Sequence, residues 1–264
     1  MKPVTLTTLR EMKQAGKKIT CLTAYDYSFA SLLDRVGLDT IMVGDSLGMT
    51  MQGHATTLPV SIDDMVYHCG CVARGVTHAL IIGDLPFGSY QVSPQQAFAN
   101  AAKLMQAGAQ VVKLEGGAAM IETVRFLVER GVPVCGHLGL TPQSVHQLGG
   151  YRVQGREADA AQRLRDDAKQ LQTAGASLLV LEAVPAALAK TISAELDIPT
   201  IGIGAGVDTD GQVLVLQDML GLYPRPSPKF SRNFMQGAES IEAAIKAYVE
   251  AVRAKTFPGP EQSY

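Results

Sequence analysis

The chain has 264 residues, 47% hydrophobic and 18% charged, with a formal net charge of -2, which is enough apolar material for one sizeable core at a length typical of a single α/β barrel. So balanced a charge gives no footprint for a polyanion, which argues against nucleic acid as a partner. No uncharged apolar run of 18 residues occurs, and the start, Met1-Lys2-Pro3-Val4-Thr5-Leu6, lacks the apolar stretch of a signal peptide, so the expectation is a cytoplasmic protein with no membrane partner.

In chain order, residues 3–18 read as a short polar helix covering one end of the fold. Ile19 to Asp26 is β-type, and Tyr27 to Val36 is a helix closed by Gly37. A second strand, Thr40 to Asp45, leads into an unusually long connection, Ser46 to Val60, of the kind that forms functional lids. Ser61 caps the next helix with Asp64 three residues on, a capping box, and Ile62, Met65, Val66, Cys69 and Val72 recur at helical spacing. Ala79 to Asp84 is the third strand. Ser93-Pro94 opens a helix that Gly108 stops.

Gln110 to Glu115 is the fourth strand, and Ala118 to Arg130 the following helix. Val132 to Leu140 is the fifth strand, before a second long loop, Thr141 to Arg156. A helix to Ala174 precedes strand six, Ala176 to Glu182, and a helix from Pro185 to Leu196 precedes strand seven, Ile198 to Gly204. Thereafter Thr209 to Leu220 reads as helical, Tyr223 to Phe230 is proline-rich, and Ile241 to Val252 is an amphipathic helix. The eighth strand is expected within Pro226 to Phe234. This alternation, with a period of roughly 30 residues, predicts one (β/α)8 TIM barrel over residues 1–264 with a short N-terminal helix.

Of the four cysteines, Cys21 and Cys135 lie in apolar strand-like runs and behave there as small hydrophobes. Cys69 and Cys71 are two apart on a helical pattern, hence roughly 200° apart around its axis, and make poor joint ligands for one ion.

Three strands end alike: Val43-Gly44-Asp45-Ser46, Ile82-Gly83-Asp84-Leu85-Pro86 and Val111-Val112-Lys113-Leu114-Glu115-Gly116-Gly117. In such a barrel the active site lies at the carboxyl ends of the strands, where Asp45, Asp84 and Glu115 would make an oxygen-rich corner suited to Mg²⁺. Taken singly, each acid could equally cap a helix or pair with a base. Lys113 and Glu115 are two apart on a strand and face one side. Lys113 could be a counter-charge, an anion-binding group or a Schiff-base former, and acidic neighbours keep its amine protonated, which favours anion binding. Glu182, after Leu178-Leu179-Val180-Leu181, ends strand six in apolar surroundings that favour a general base. His137 ends strand five, either within the site or bonded to backbone. Gly202-Ile203-Gly204-Ala205-Gly206 lacks a dinucleotide glycine spacing and reads as close backbone packing against a ligand or helix.

The stretches Val43 to Met49, Gln52-Gly53-His54, Gly83 to Phe87, Lys113 to Gly117, Cys135 to Gln143, Leu181-Glu182 and Gly202 to Gly206 together resemble the ketopantoate (3-methyl-2-oxobutanoate) hydroxymethyltransferase family, from about Thr5 to Pro258. The stretch Tyr223 to Ser227 departs from the family pattern. The resemblance implies transfer of a one-carbon unit from 5,10-methylenetetrahydrofolate to 3-methyl-2-oxobutanoate, giving 2-dehydropantoate and tetrahydrofolate, the first step of pantothenate and coenzyme A synthesis. By the same resemblance Asp45 and Asp84 match Mg²⁺ ligands and Glu115 a further acidic residue of the metal site. Asp45, Ser46, Asp84 and Lys113 match contacts to the 2-oxo acid, and Glu182 matches the proton acceptor. A homodecamer, a pentamer of dimers, is also implied. The rival is another Mg²⁺-dependent, enolate-forming barrel of the phosphoenolpyruvate mutase and isocitrate lyase type.

Overall fold

The computed structural model describes residues 2–224 and 226–264. Met1 lies outside them, as does Arg225 within the divergent stretch Tyr223 to Ser227. Eight parallel strands close into a barrel in sequence order: β1 (Ile19–Thr23), β2 (Thr40–Val43), β3 (Leu80–Asp84), β4 (Val111–Glu115), β5 (Val134–Gly139), β6 (Leu178–Glu182), β7 (Thr200–Ile203) and β8 (Gly211–Leu214). β8 closes on β1 with Ile19 opposite Gly211.

The helices are α1 (Leu6–Gln14), α2 (Tyr27–Val36), α3 (Leu47–Thr50), α4 (Ile62–Ala73), α5 (Pro94–Gln106), α6 (Ile121–Val128), α7 (Ala158–Thr173), α8 (Ala186–Glu195), α9 (Leu216–Met219) and α10 (Ile241–Arg253). Local chemistry sets their starts. Ser61 and Asp64 cap α4 reciprocally, and Ser93 accepts the Gln96 N–H at the head of α5, where Pro94 takes the first helical position. The β8 assignment corrects the sequence expectation of a strand within Pro226 to Phe234. Gly211-Gln212-Val213-Leu214 is only four residues long and runs through Val215 into α9. Its apolar positions therefore merge with those of the helix into one helix-like pattern.

Strand pleating divides the core. On each strand one alternating set of positions, such as Leu22, Val112, Leu114 and Leu179, packs outward beneath the helices. The alternate residues fill the barrel interior: Ile19, Cys21, Met42, Leu80, Ile82, Val111, Cys135, Leu178, Val180, Ile201 and Val213. Leu9 of α1 belongs to this inner cluster and is fully buried, so α1 covers the amino end of the barrel. Continuing the inner face by two residues carries the chain from Ile82 to Asp84, Val111 to Lys113, Cys135 to His137 and Val180 to Glu182. The alternation that packs the barrel thus delivers four ionisable side chains to its carboxyl end. Among the described residues no helix is long and apolar enough to cross a membrane.

Candidate active site

Register fixes the neighbours. Asp84 lies opposite Lys113 across β3 and β4, and Glu115 opposite His137 across β4 and β5. Lys113 Nζ stands 2.9 Å from Asp84 Oδ2, both side chains being buried. Burial opposes the Lys113 charge, but Asp84, Glu115 and Asp45 outweigh it and hold the amine above its ordinary range. The lysine is a fixed cation, as expected from the sequence.

Asp45 is placed differently. It follows the end of β2, its backbone N–H donates to Asp84 Oδ2 at 3.2 Å, and Oδ2 accepts from Gln143 Nε2 at 2.9 Å. At Gly44 a Cβ would lie 2.8 Å from Ser46 Oγ, so the glycine leaves room for that hydroxyl. Burial and the neighbouring carboxylates of Asp84 and Glu115 push Asp45 up to about 7. Burial also raises Asp84, against the pull of Lys113. Ser46 Oγ is 2.8 Å from the hydroxyl of Tyr25, a buried phenol that burial pushes up to about 12.

Glu115 turns toward β5. Its Oε2 accepts the Gln143 N–H at 3.0 Å and its Oε1 lies 3.4 Å from His137 Nδ1. Despite burial, His137 and Lys113 hold it below the usual carboxylate range. On the other side His137 Nε2 is 3.3 Å from Glu182 Oε2. Burial and Lys113 oppose protonation of this imidazole, but the two glutamates prevail and take it to about 9. His137 therefore joins the site between Glu115 and Glu182, which resolves the alternative left open by the sequence. The expected apolar surroundings of Glu182 are modified accordingly, because one flank is an imidazolium.

Gln143 carried no chemical signal in the sequence. It is buried at the root of the second long loop, gives its amide hydrogens to Asp45 and to Leu85 O at 3.0 Å, and accepts from Tyr90 Oη at 2.7 Å. A neutral residue that serves Asp45 through its side-chain amide and Glu115 through its backbone N–H is recognisable only once the barrel brings the two acids together.

The residues fit a divalent cation. Asp84 Oδ1 is a buried acceptor without a hydrogen-bond donor, and such an oxygen beside the carboxyls of Asp45 and Glu115 calls for positive charge. Among the described residues no three acidic, His or Cys side chains close into a ready ligand cluster. The fit is thus to an ion that takes one or two carboxylates and completes its shell with water and substrate oxygens, as Mg²⁺ does.

A cavity of about 620 Å³ opens over this cluster, within the range of sites that enclose drug-sized ligands. Both long loops contribute to its wall, through Met49 and Thr57 from the first and Tyr151 and Arg152 from the second. The glycine-rich stretch after β7 packs closely against neighbours: a Cβ at Gly206 would lie 2.5 Å from Ala186 of α8.

Comparison with known proteins places the chain in a family. The profile of the family described as ketopantoate hydroxymethyltransferase matches residues 3–260. A 3-methyl-2-oxobutanoate hydroxymethyltransferase from Methylobacillus flagellatus is 66% identical over 98% of this chain and 99% of its own length. One from Thiobacillus denitrificans is 62% identical over 99% of this chain and 100% of its own. Among solved structures, a phosphonopyruvate hydrolase in complex with oxalate and Mg²⁺ superposes with a TM-score of 0.61 over 80% of each chain at 12% identity, a likeness of fold. With the family profile spanning nearly the whole sequence and relatives at 62–66% identity end to end, the chain belongs to the ketopantoate hydroxymethyltransferase family.

Proposed function

We propose that the protein transfers a hydroxymethyl group to 3-methyl-2-oxobutanoate from 5,10-methylenetetrahydrofolate, with water supplying the hydroxyl oxygen, to give 2-dehydropantoate and tetrahydrofolate. This is the committing step toward pantothenate. The observation that carries the reading is the inner-face row Asp84, Lys113, Glu115, His137 and Glu182 at one end of the barrel, which pairs a fixed cation with a separate carboxylate beside an imidazolium.

In this proposal Asp45 and Asp84 hold Mg²⁺, and Glu115 contributes its charge to the same corner. When bound, the metal supplies a Lewis acid that polarises the oxygens of a 2-oxo acid and so acidifies its C3–H. Lys113 offsets the substrate carboxylate, and Ser46, oriented by Tyr25, offers a hydroxyl hydrogen bond. Glu182, whose side chain is 13% exposed, reaches the cavity and removes the C3 proton. His137 holds that carboxylate in place and links it to Glu115. Water replaces both carbon–nitrogen bonds of the donor's methylene carbon, its two protons going to the two nitrogens of the released tetrahydrofolate. The C3 electron pair adds to that carbon, now at the formaldehyde level, and its oxygen takes up the proton lost from C3 to complete the hydroxymethyl group. A cytoplasmic site of action and a homo-oligomeric assembly belong to the same proposal.

The test is incubation with 3-methyl-2-oxobutanoate, Mg²⁺ and 5,10-methylenetetrahydrofolate, with detection of 2-dehydropantoate by mass. Product that requires all three components is expected. Cleavage or rearrangement of the oxo acid without the folate would move the protein to the mutase and lyase chemistry of its fold relatives.

A further inference from the structure

One carboxylate in the cavity has no part in the chemistry above. Asp218, in the short helix α9 after β8, is 6% exposed and lines the cavity, yet its Oδ1 has no hydrogen-bond partner. No cation pairs with it among the described residues, and burial alone pushes its carboxyl up to about 6. Its backbone is held firmly. The Leu216 N–H donates to Thr23 Oγ1 at 3.0 Å, Asp218 O accepts from Gly221 N at 3.0 Å, and Phe234 N donates to Met219 O at 2.8 Å. A buried acceptor that costs free energy in the empty protein, on a turn fixed from several sides, is a place for a ligand's donors.

Position and surroundings say which ligand. In the closed ring β8 stands across the mouth from β4, which carries Lys113 and Glu115, while β6 with Glu182 lies midway between them. A carboxylate there repels the carboxylate of a 2-oxo acid, which Lys113 holds on the opposite side. The cavity lining on the β7 and β8 side is apolar and aromatic: Val213 and Val215 come from β8 and its exit, and Phe230 and Tyr264 pack at Gly204 after β7. A five-carbon acid leaves most of a cavity of about 620 Å³ unfilled. Flat apolar walls with one buried acceptor suit a planar nitrogen heterocycle presenting adjacent N–H groups, since a carboxylate accepts such a pair in bidentate fashion.

Building on the proposed function, we propose that Asp218 anchors the pterin ring of the one-carbon donor by accepting hydrogen bonds from its 2-amino group and ring N3–H. The ring lies against the β8 wall, with the one-carbon unit directed toward β6 and the oxo acid. Arg152, which also lines the cavity, would meet the anionic glutamyl end.

The experiment compares wild-type and Asp218→Asn proteins by equilibrium titration with tetrahydrofolate, and by C3–H exchange of 3-methyl-2-oxobutanoate in D₂O with Mg²⁺ and saturating tetrahydrofolate. The variant is expected to bind tetrahydrofolate roughly 10- to 100-fold more weakly, the scale of charge-assisted hydrogen bonds, with the same rise in KM for the methylene donor. Oxo-acid binding and saturated exchange should be unchanged. Wild-type protein titrated with 2-desamino-tetrahydrofolate should show a similar loss that does not add to that of the variant, and this arm stands even if the variant fails to fold. Wild-type affinity in the variant, or equal affinity of wild-type protein for the two folates, overturns the assignment. Wild-type exchange without tetrahydrofolate binding also overturns it, whereas absence of both exchange and product in the wild-type overturns the functional reading itself.

Discussion

The two ends of the barrel both bury acidic side chains, and they treat them in opposite ways. At the amino end, Asp34 accepts from the Thr77, His78 and Ala79 backbone N–H groups and from the Thr77 hydroxyl, all at 2.8–2.9 Å. Asp39 accepts from the Thr20 N–H and hydroxyl, and Asp210 from the Thr200 N–H, the Thr200 hydroxyl and Lys13. These hydrogen bonds hold Asp34 below the usual carboxylate range even against burial. At the carboxyl end Asp84 Oδ1 and Asp218 Oδ1 lack hydrogen-bond partners, although the His137 ring there stands between Glu115 and Glu182 at 3.4 and 3.3 Å. The acids of the first set are finished by the chain itself and knit strands to loops. Those of the second are left for something the chain does not contain.

This contrast predicts separable consequences. The largest is at Asp84. Asp84→Asn removes an anionic oxygen from the corner and leaves the buried Lys113 with weaker compensation, so Mg²⁺ affinity and turnover should fall by more than about 100-fold, beyond the loss typical of outer-shell metal partners. Titration with Mg²⁺ after exhaustive chelation measures it. Full activity on return of Mg²⁺ would make the corner structural, like the amino end.

Asp34→Ala should do the reverse. It orphans several buried donors, for a cost of about 3 kcal/mol in denaturant unfolding, while kcat and Mg²⁺ affinity of the folded fraction stay at wild-type values. A change in Mg²⁺ affinity would break the division between the two ends.

Only the carboxyl-end side of this division was legible in the sequence, since the donors that satisfy Asp34 lie more than 40 positions away, and the limits have physical causes. Strand alternation put Lys113 and Glu115 on one face, and the Gly-Asp endings marked Asp45 and Asp84. The position of Asp45 beyond β2, within reach of Gln143, could not be read from alternation because the strand ends at Val43 and its pleat no longer governs the residues that follow. Gln143 is neutral and 98 positions from its Asp45 partner. Asp218 was hidden by the same merging of β8 into α9 that displaced the eighth strand. His137 was seen but undecided, since only the β4–β5–β6 register places it between two glutamates.

Lys113→Met tests a smaller effect at the carboxyl end. Loss of the charge with retention of the stem should weaken 2-oxo acid binding by about 1.5–3 kcal/mol, measured by calorimetric titration with Mg²⁺ present. A borohydride-trapped substrate adduct on Lys113 in the wild-type protein would instead show Schiff-base chemistry.

The smallest effect is in pH. Asp45 is raised to about 7 and His137 to about 9, so between their unfolded values and these values the folded metal-free protein holds more protons than the unfolded chain. Stability from both groups therefore falls as pH rises, through about 7 for Asp45 and about 9 for His137. Mg²⁺ competes with the Asp45 proton, so its affinity should climb toward pH 8 by up to about tenfold per unit below 7. Melting temperatures with and without Mg²⁺ at pH 6 and 8 should show the larger Mg²⁺-induced rise at pH 8. An equal rise at both values would remove Asp45 from the metal site.

The central claim is that Glu182 takes a proton from C3 of the oxo acid at a site prepared by the unfinished carboxyl end. Glutamine at position 182 keeps the shape and removes the basicity. With 3-methyl-2-oxobutanoate, Mg²⁺ and any folate the wild-type requires, deuterium exchange at C3 in D₂O should fall by about 10²- to 10⁴-fold in Glu182→Gln, while calorimetry shows oxo acid and metal still bound. Exchange at the wild-type rate in that variant would contradict the account and pass the role of base to His137.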